Sequence, residues 1–152
     1  MILLASDHGG LQLKEAVKEL LKEKGIQFED CGTDNGSSVD YPDYGEKVAR
    51  RVSDGSAEKG ILFCGTGIGM SIVANKFPGV RAALVTDPFM ARMAKEHNNA
   101  NVLVLGGRVI NGSEAREMIA GWLDARFEGG RHQGRLDKIS AIENEICGAC
   151  RK

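Results

Sequence analysis

The chain has 152 residues, 42% of them hydrophobic and only three of them proline, which suits one globular domain with a sizeable core and excludes a disordered linker or two independent domains. Twenty basic and twenty-one acidic side chains leave a formal net charge of −1, so there is no broad cationic field to hold nucleic acid or an anionic membrane. No apolar run approaches the roughly 20 residues of a membrane span, and the opening MILLASDHGG carries no basic and apolar leader, so a cytoplasmic protein is expected.

Residues 1–5 read as a strand, and Leu13, Val17, Leu20 and Leu21 as one face of a helix that Gly25 stops. A weaker strand over 26–31 leads into the polar loop GTDNGSSVDYPDYG and a helix over 46–52. Residues 60–64 form a clearer strand, followed by GTGIGMS, a helix to about Lys76 and a fourth strand over 80–85. Asp87-Pro88 is a helix start, with Asp as N-cap and Pro at the first helical position. That helix carries Met90, Met93, Ala94 and His97, the methionines as core packing, until Asn98-Asn99 breaks it. A fifth strand over 101–105 ends at Gly106-Gly107, and Asn111 with Glu114 reads as a capping pair for a helix with the stripe Ala115, Met118, Ile119, Trp122, Leu123. After the break EGGRHQGR comes a last helix, about 134–146, with Leu136, Ile139, Ile142 and Ile146 on one face, and a tail over 147–152. Five strands alternating with helices predict a single domain over 1–152, a Rossmann-like or flavodoxin-like three-layer α/β/α sandwich on a parallel sheet.

In such sheets ligands sit beyond the carboxyl ends of the strands, which directs attention to SDHGG, DCGTD, CGTGIGMS, VTDP and GGRV. Asp7 and His8 place a carboxylate and an imidazole there, although a helix cap and a solvated turn residue are equally compatible with the sequence. Cys64 ends an apolar strand and is followed by Gly65, Thr66, Gly67, Ile68 and Gly69, whose exposed N–H groups and following helix suit a phosphate, an oxyanion or a thiolate. A small core cysteine beside a plain turn is the alternative. A dinucleotide loop is another, with Asp87 in the ribose position, but the spacing is G-x-G-x-G after the third strand, and no Gly-Lys-Ser/Thr closes a Walker A loop.

His97 at a helix end is electrostatically favourable on structural grounds alone. Arg131, His132 and Arg135 bracket the start of the final helix, where positive charge is unfavourable unless an anion sits between them; the two arginines, four apart, suit a phosphate, and a solvated basic turn is the alternative. The cysteines Cys31, Cys64, Cys147 and Cys150 are too few for a stapled secreted domain, and the lone CxxC of Cys147 and Cys150 lacks zinc or thioredoxin context, so it reads as solvated tail. No histidine and carboxylate cluster of metal-ligand spacing is visible in the sequence.

Taken in order, SDHGG, DYPDYG, CGTGIGMSIVANKFPGVRAA, EHNNANVLVLGGRV and EGGRHQGR resemble the type B ribose-5-phosphate isomerase family, over residues 2 to about 143. That family also holds galactose-6-phosphate isomerase subunits and enzymes acting on allose 6-phosphate. The resemblance implies a Rossmann-like sandwich, no metal or other cofactor, and a homodimer or dimer of dimers with sites shared between subunits, where the final helix docks on the partner. It implies Cys64 as the base that moves a proton between C1 and C2 of the open-chain sugar, supported by Thr66, with the enediolate held by the backbone from Gly65 to Met70. It implies His97 as ring opener, Asp7 as proton shuttle, Asn98 on the reacting end and Tyr41 against the sugar. His8, Arg131 and Arg135 would hold the phosphate, with Arg108 reaching in from the other chain. The galactose-6-phosphate subunits tend to lack the histidine and paired arginines found here, so a pentose phosphate is expected over a hexose 6-phosphate. A nucleotide binder or a non-catalytic sugar-phosphate sensor are the rival classes.

Overall fold

Ile2–Ser6 is buried along its whole length, which a strand sustains only inside a sheet covered on both faces. In the computed structural model, which describes residues 1–149, it forms β1 of a five-stranded sheet. The elements follow as α1 (Leu11–Glu23), β2 (Phe28–Asp30), α2 (Tyr41–Ser53), β3 (Lys59–Cys64), α3 (Ile68–Ala74), β4 (Ala82–Leu84), α4 (Pro88–Glu96), β5 (Val102–Gly106), α5 (Gly112–Asp124) and α6 (Arg131–Ala149). The sheet order is β2-β1-β3-β5-β4 and every pairing is parallel, the α/β/α sandwich that the alternation predicts. Among the described residues no helix is long and apolar enough to cross a membrane.

Alternating strand residues feed two cores. Ile2, Leu4, Ile61, Phe63, Leu103 and Leu105 pack under α1, α4 and α5 around Met118 and Trp122. Leu3, Ala5, Leu62, Cys64, Val102 and Val104 pack under α2 and α3 around Val48 and Met70. Caps hold the helices as the sequence predicts: Asp87 accepts from the Met90 N–H at 2.8 Å, and Asn111 and Glu114 form a reciprocal capping box with bonds of 3.0 and 2.7 Å.

Several boundaries differ from those read in the sequence. The second helix begins at Tyr41 rather than 46, because Asp40 is its extended N-cap and Pro42 sits in the first turn, where proline's fixed φ suits a helix start. The edge strands β2 and β4 shrink to three residues each, since an edge strand is paired on one side only. The final helix begins at Arg131, not 134: Gly129 and Gly130 take positive φ of 66° and 52° and make the break, while Gly134 is helical. Cys147 is therefore helical rather than tail, and Cys150 lies outside the described residues. Met90 is 41% exposed rather than a core residue, because it faces outward on α4.

On α6 only one residue of the predicted stripe is covered. Leu136 is buried, whereas Ile139, Ile142 and Ile146 are 51%, 58% and 58% exposed. The helix is moored by Glu143, whose two carboxylate oxygens each lie 2.9 Å from the Gly79 N–H donor. An open groove beside it is lined by Pro78, Ile139, Ile142 and Ile146.

Candidate active site

The chain turns back on itself between β1 and β3, whose connections run to opposite sides of the sheet. That switch point opens a crevice at the carboxyl ends of these strands, where ligands bind in open α/β sheets. Asp7, Gly65 and Arg108 follow β1, β3 and β5 and converge on it.

Asp7 is buried, and its Oδ1 accepts the N–H groups of Gly9 and Gly10 at 2.8 and 3.1 Å. Oδ2 has no hydrogen-bond partner among the described residues. Asp7 does not cap α1, whose N-cap is Gly10 with no side-chain bond; its Oδ1 closes the turn ahead of the helix and Oδ2 is left for chemistry. His8 is half-buried, and its Nδ1 accepts the Val39 N–H at 3.2 Å; a neutral His8 therefore carries its proton on Nε2.

Cys64 is 5% exposed, and its Sγ accepts the Gly67 N–H at 3.1 Å. Gly67 sits at φ 81° as the N-cap of α3, in the left-handed region open to glycine, and a Cβ there would collide with Leu84. Thr66 is exposed and bonds the Ile68 N–H at 3.3 Å, so the donor to the sulfur is Gly67 rather than the threonine. The first helical bond of α3 runs from Ser71 N to Gly67 O at 3.0 Å. The N–H groups of Gly69 and Met70 consequently have no partner among the described residues, as first-turn donors do. Met70 is fully buried, backbone included, whereas Gly69 is half-buried, so of the two N–H groups that of Gly69 is the more accessible.

Arg108 already lies over this loop of its own chain, without a partner to bring it there. Its N–H donates to Gly65 O at 2.9 Å, and its guanidinium carbon stands 3.3 Å from where a Gly65 Cβ would be. Tyr41 reaches the other side of the loop: a Cβ on Gly69 would stand 2.6 Å from its ring. These residues form one continuous surface.

His97, Asn98, Arg131 and Arg135 are elsewhere. The register pairs Gly60 with Val102 at one end of the sheet and Cys64 with Gly106 at the other. His97 caps α4 at the Gly60 end, where Asn98 O and Asn99 O accept from Arg81 Nε at 3.1 Å and Asn101 O accepts from Gly60 N at 2.9 Å. The four residue steps from Val102 to Gly106 along β5 separate the two ends by about 13 Å. Arg131 and Arg135 are exposed in the first turns of α6, on the His97 side.

That second cluster also holds His132, which the sequence places with the arginines only as a basic group at a helix start, and Glu128, for which the sequence offers no signal. The His97 and His132 rings stack with centroids 4.1 Å apart and planes at 10°. Glu128 Oε2 lies 3.4 Å from His132 Nε2 and 3.9 Å from His97 Nε2, because Glu128 N–H bonds Glu96 O at 3.0 Å and folds the connection back on α4. The absence of a histidine and carboxylate cluster expected from the sequence is thereby corrected: ligand atoms of His97, Glu128 and His132 all lie within 4.8 Å of one another. Stacking holds the two imidazole lone pairs in near-parallel planes, whereas a tetrahedral metal requires them to converge. Burial, then the neighbouring His97 and Arg131, pushes the His132 imidazole below its usual range.

An α/β sandwich with a thiol, a carboxylate and free backbone donors at its switch point suits acid–base chemistry on a small oxyanionic ligand, and comparison with known proteins places it among sugar-phosphate isomerases. The chain belongs to the ribose/galactose isomerase family, whose model matches residues 2–139. It is 44% identical over 142 residues to ribose-5-phosphate isomerase B of Escherichia coli, covering 93% of this chain and 95% of that protein. The solved ribose-5-phosphate isomerase B of Clostridium thermocellum superposes with a TM-score of 0.92 at 50% identity, over 95% of this chain and 98% of that one. The Mycoplasma genitalium enzyme, solved with bound ribulose-5-phosphate, superposes with a TM-score of 0.91 at 46% identity, over 95% and 96% of the two chains.

Proposed function

We propose that the chain interconverts D-ribose 5-phosphate and D-ribulose 5-phosphate through an enediolate, as a dimer or dimer of dimers in which each site takes one cluster from each of two copies. The observation that carries the reading is the Cys64 sulfur, aimed by the Gly67 N–H beside two unpaired N–H groups and the uncommitted oxygen of Asp7. A thiolate at Cys64 takes the proton from C2 of the open-chain aldose, and the electron pair moves into the C1–C2 bond as the C1 carbonyl becomes an enediolate oxygen. The half-buried Gly69 N–H suits that oxyanion. Cys64 then returns the proton to C1 while the C2 hydroxyl loses its own to become the ketone, and Asp7 Oδ2 moves protons between O1 and O2.

Two features support a second copy. The ring-opening candidate His97 and the arginines Arg131 and Arg135 lie toward the opposite end of the sheet from Cys64, separated along β5 by about 13 Å. The exposed Ile139, Ile142 and Ile146 are an apolar surface of the kind that marks an interface. On this reading His97 and Asn98 of one copy face Cys64 of the other, Arg131 and Arg135 join His8 on the phosphate, and Tyr41 closes on the sugar.

The test is formation of ribulose 5-phosphate from ribose 5-phosphate by purified protein, with and without a chelator and with allose 6-phosphate alongside. Chelator-resistant turnover favouring the pentose is expected, abolished by Cys64→Ala with substrate binding retained. Faster hexose turnover would replace the substrate, near-normal turnover of Cys64→Ala would replace the base, and binding of both sugars with no turnover would leave a sugar-phosphate sensor.

A further inference from the structure

His132 is 4% exposed, a buried imidazole to which the chemistry above gives no task. It lies face to face with His97 at 4.1 Å and 10°, and Glu128 Oε2 is 3.4 Å from its Nε2. Arg131 Nε lies 3.5 Å from the same nitrogen. His97 is a cap residue, 35% exposed in its side chain, and the nearest carboxylate oxygen is 3.9 Å from its Nε2. Little besides the stack fixes the plane of that ring.

We infer that His132 is a positioning residue that sets the plane of His97 for opening the sugar ring and takes no part in the later proton transfer between carbons. The inference rests on the isomerase reading proposed above. Ring opening moves a proton from the C1 hydroxyl to a base and delivers one to the ring oxygen O4; the C1–O4 bond breaks and C1=O forms. Both protons move in the plane of the imidazole that carries them, so a tilt of His97 takes its nitrogen off the line of transfer. A flat, buried ring beneath it resists that tilt. Burial, then His97 and Arg131, lower the His132 pKa, which favours the neutral ring beside the imidazolium that His97 becomes when it accepts a proton.

The inference separates two steps that one substrate pair can report independently. Ribose 5-phosphate is mostly cyclic and must be opened. Ribulose 5-phosphate has its carbonyl at C2 and phosphate on the terminal oxygen, so no hydroxyl is placed to close a five-membered ring. Exchange of a C1 hydrogen of ribulose 5-phosphate with D2O therefore reads the Cys64 chemistry without ring opening.

For His132→Ala, turnover of ribose 5-phosphate should fall at least about tenfold, while exchange into ribulose 5-phosphate stays within about twofold of wild type. His132→Phe, which keeps a flat ring but no nitrogen, should recover ribose 5-phosphate turnover to within about threefold. Equal losses in both assays would mean that His132 only supports the fold and would overturn the inference. So would unchanged turnover in the alanine variant, or a phenylalanine variant as slow as alanine. Wild-type protein inactive in both assays would instead defeat the isomerase reading itself, so the two failures are distinguishable.

Discussion

Cys64 and His97 stand at opposite ends of one sheet, the first at the carboxyl end of β3 and the second beside the start of β5. On the proposed reading, two copies related by a two-fold axis bring the Cys64 of one to the His97 of the other. Mixing inactive variants tests the arrangement. Cys64→Ala and His97→Ala should each be inactive on ribose 5-phosphate. Unfolded and refolded together in equal amounts, they should regain roughly a quarter of wild-type activity, since half of the dimers are mixed and each mixed dimer holds one intact site. No recovery, with mixed dimers demonstrated by mass spectrometry, would place both residues in the same chain's site.

Ile142 on α6 is 58% exposed in the single chain. Burying an isoleucine is worth about 1.5–3 kcal/mol, and three such side chains on one helix face are a strong reason for this face to be covered. Ile142→Glu should shift sedimentation toward the monomer and lower activity in parallel, with an unchanged far-ultraviolet circular dichroism spectrum. A variant that keeps the wild-type mass in solution would assign the interface to another surface, such as the exposed Ile68, Ile72 and Phe89.

The central strands were legible because β1, β3 and β5 are continuous apolar runs buried on both faces, and the Cys64 loop was legible because glycines crowd directly behind such a run. The edge strands are shorter than their composition suggests, since pairing on one side cannot be read from composition. The start of α2 is encoded by Asp40, Tyr41 and Pro42, a helix N-terminus that the apolar pattern alone does not mark. The cluster of His97, Glu128 and His132 was not legible at all. It depends on the connection after α5 folding back onto the end of α4, a tertiary event that no local spacing encodes. The partition of the predicted residues between two ends of the sheet likewise follows only from strand direction and register.

Gly69 touches the ring of Tyr41, where a Cβ would stand 2.6 Å away, and it carries one of the two unpaired N–H groups behind Cys64. Gly69→Ala should therefore leave the helix intact, because alanine is the better helix former by about 1 kcal/mol, yet displace Tyr41 and crowd the substrate. The expected result is an unchanged or slightly raised urea midpoint with a fall in kcat/KM of at least about tenfold. A variant with both quantities at wild-type levels would mean that Tyr41 yields without cost and does not bear on the sugar.

His132 also predicts how stability responds to acid. Burial first, then His97 and Arg131, and more weakly Arg135, lower its pKa in the folded protein, while Glu128 opposes them. In the unfolded chain the same imidazole titrates near its ordinary value of about 6.5. Above that pH both states hold it neutral, and it makes stability no more and no less dependent on pH. As pH falls below about 6.5 the unfolded chain takes up the proton before the folded one does, so this group subtracts stability progressively until the folded value is passed. The urea midpoint of the wild-type protein should accordingly drop more between pH 7.5 and 5.5 than that of His132→Phe, which has nothing to protonate at this position. Equal drops in the two proteins would show that the buried imidazole titrates normally in the fold, and that the ring under His97 is charged over the same range as any exposed histidine.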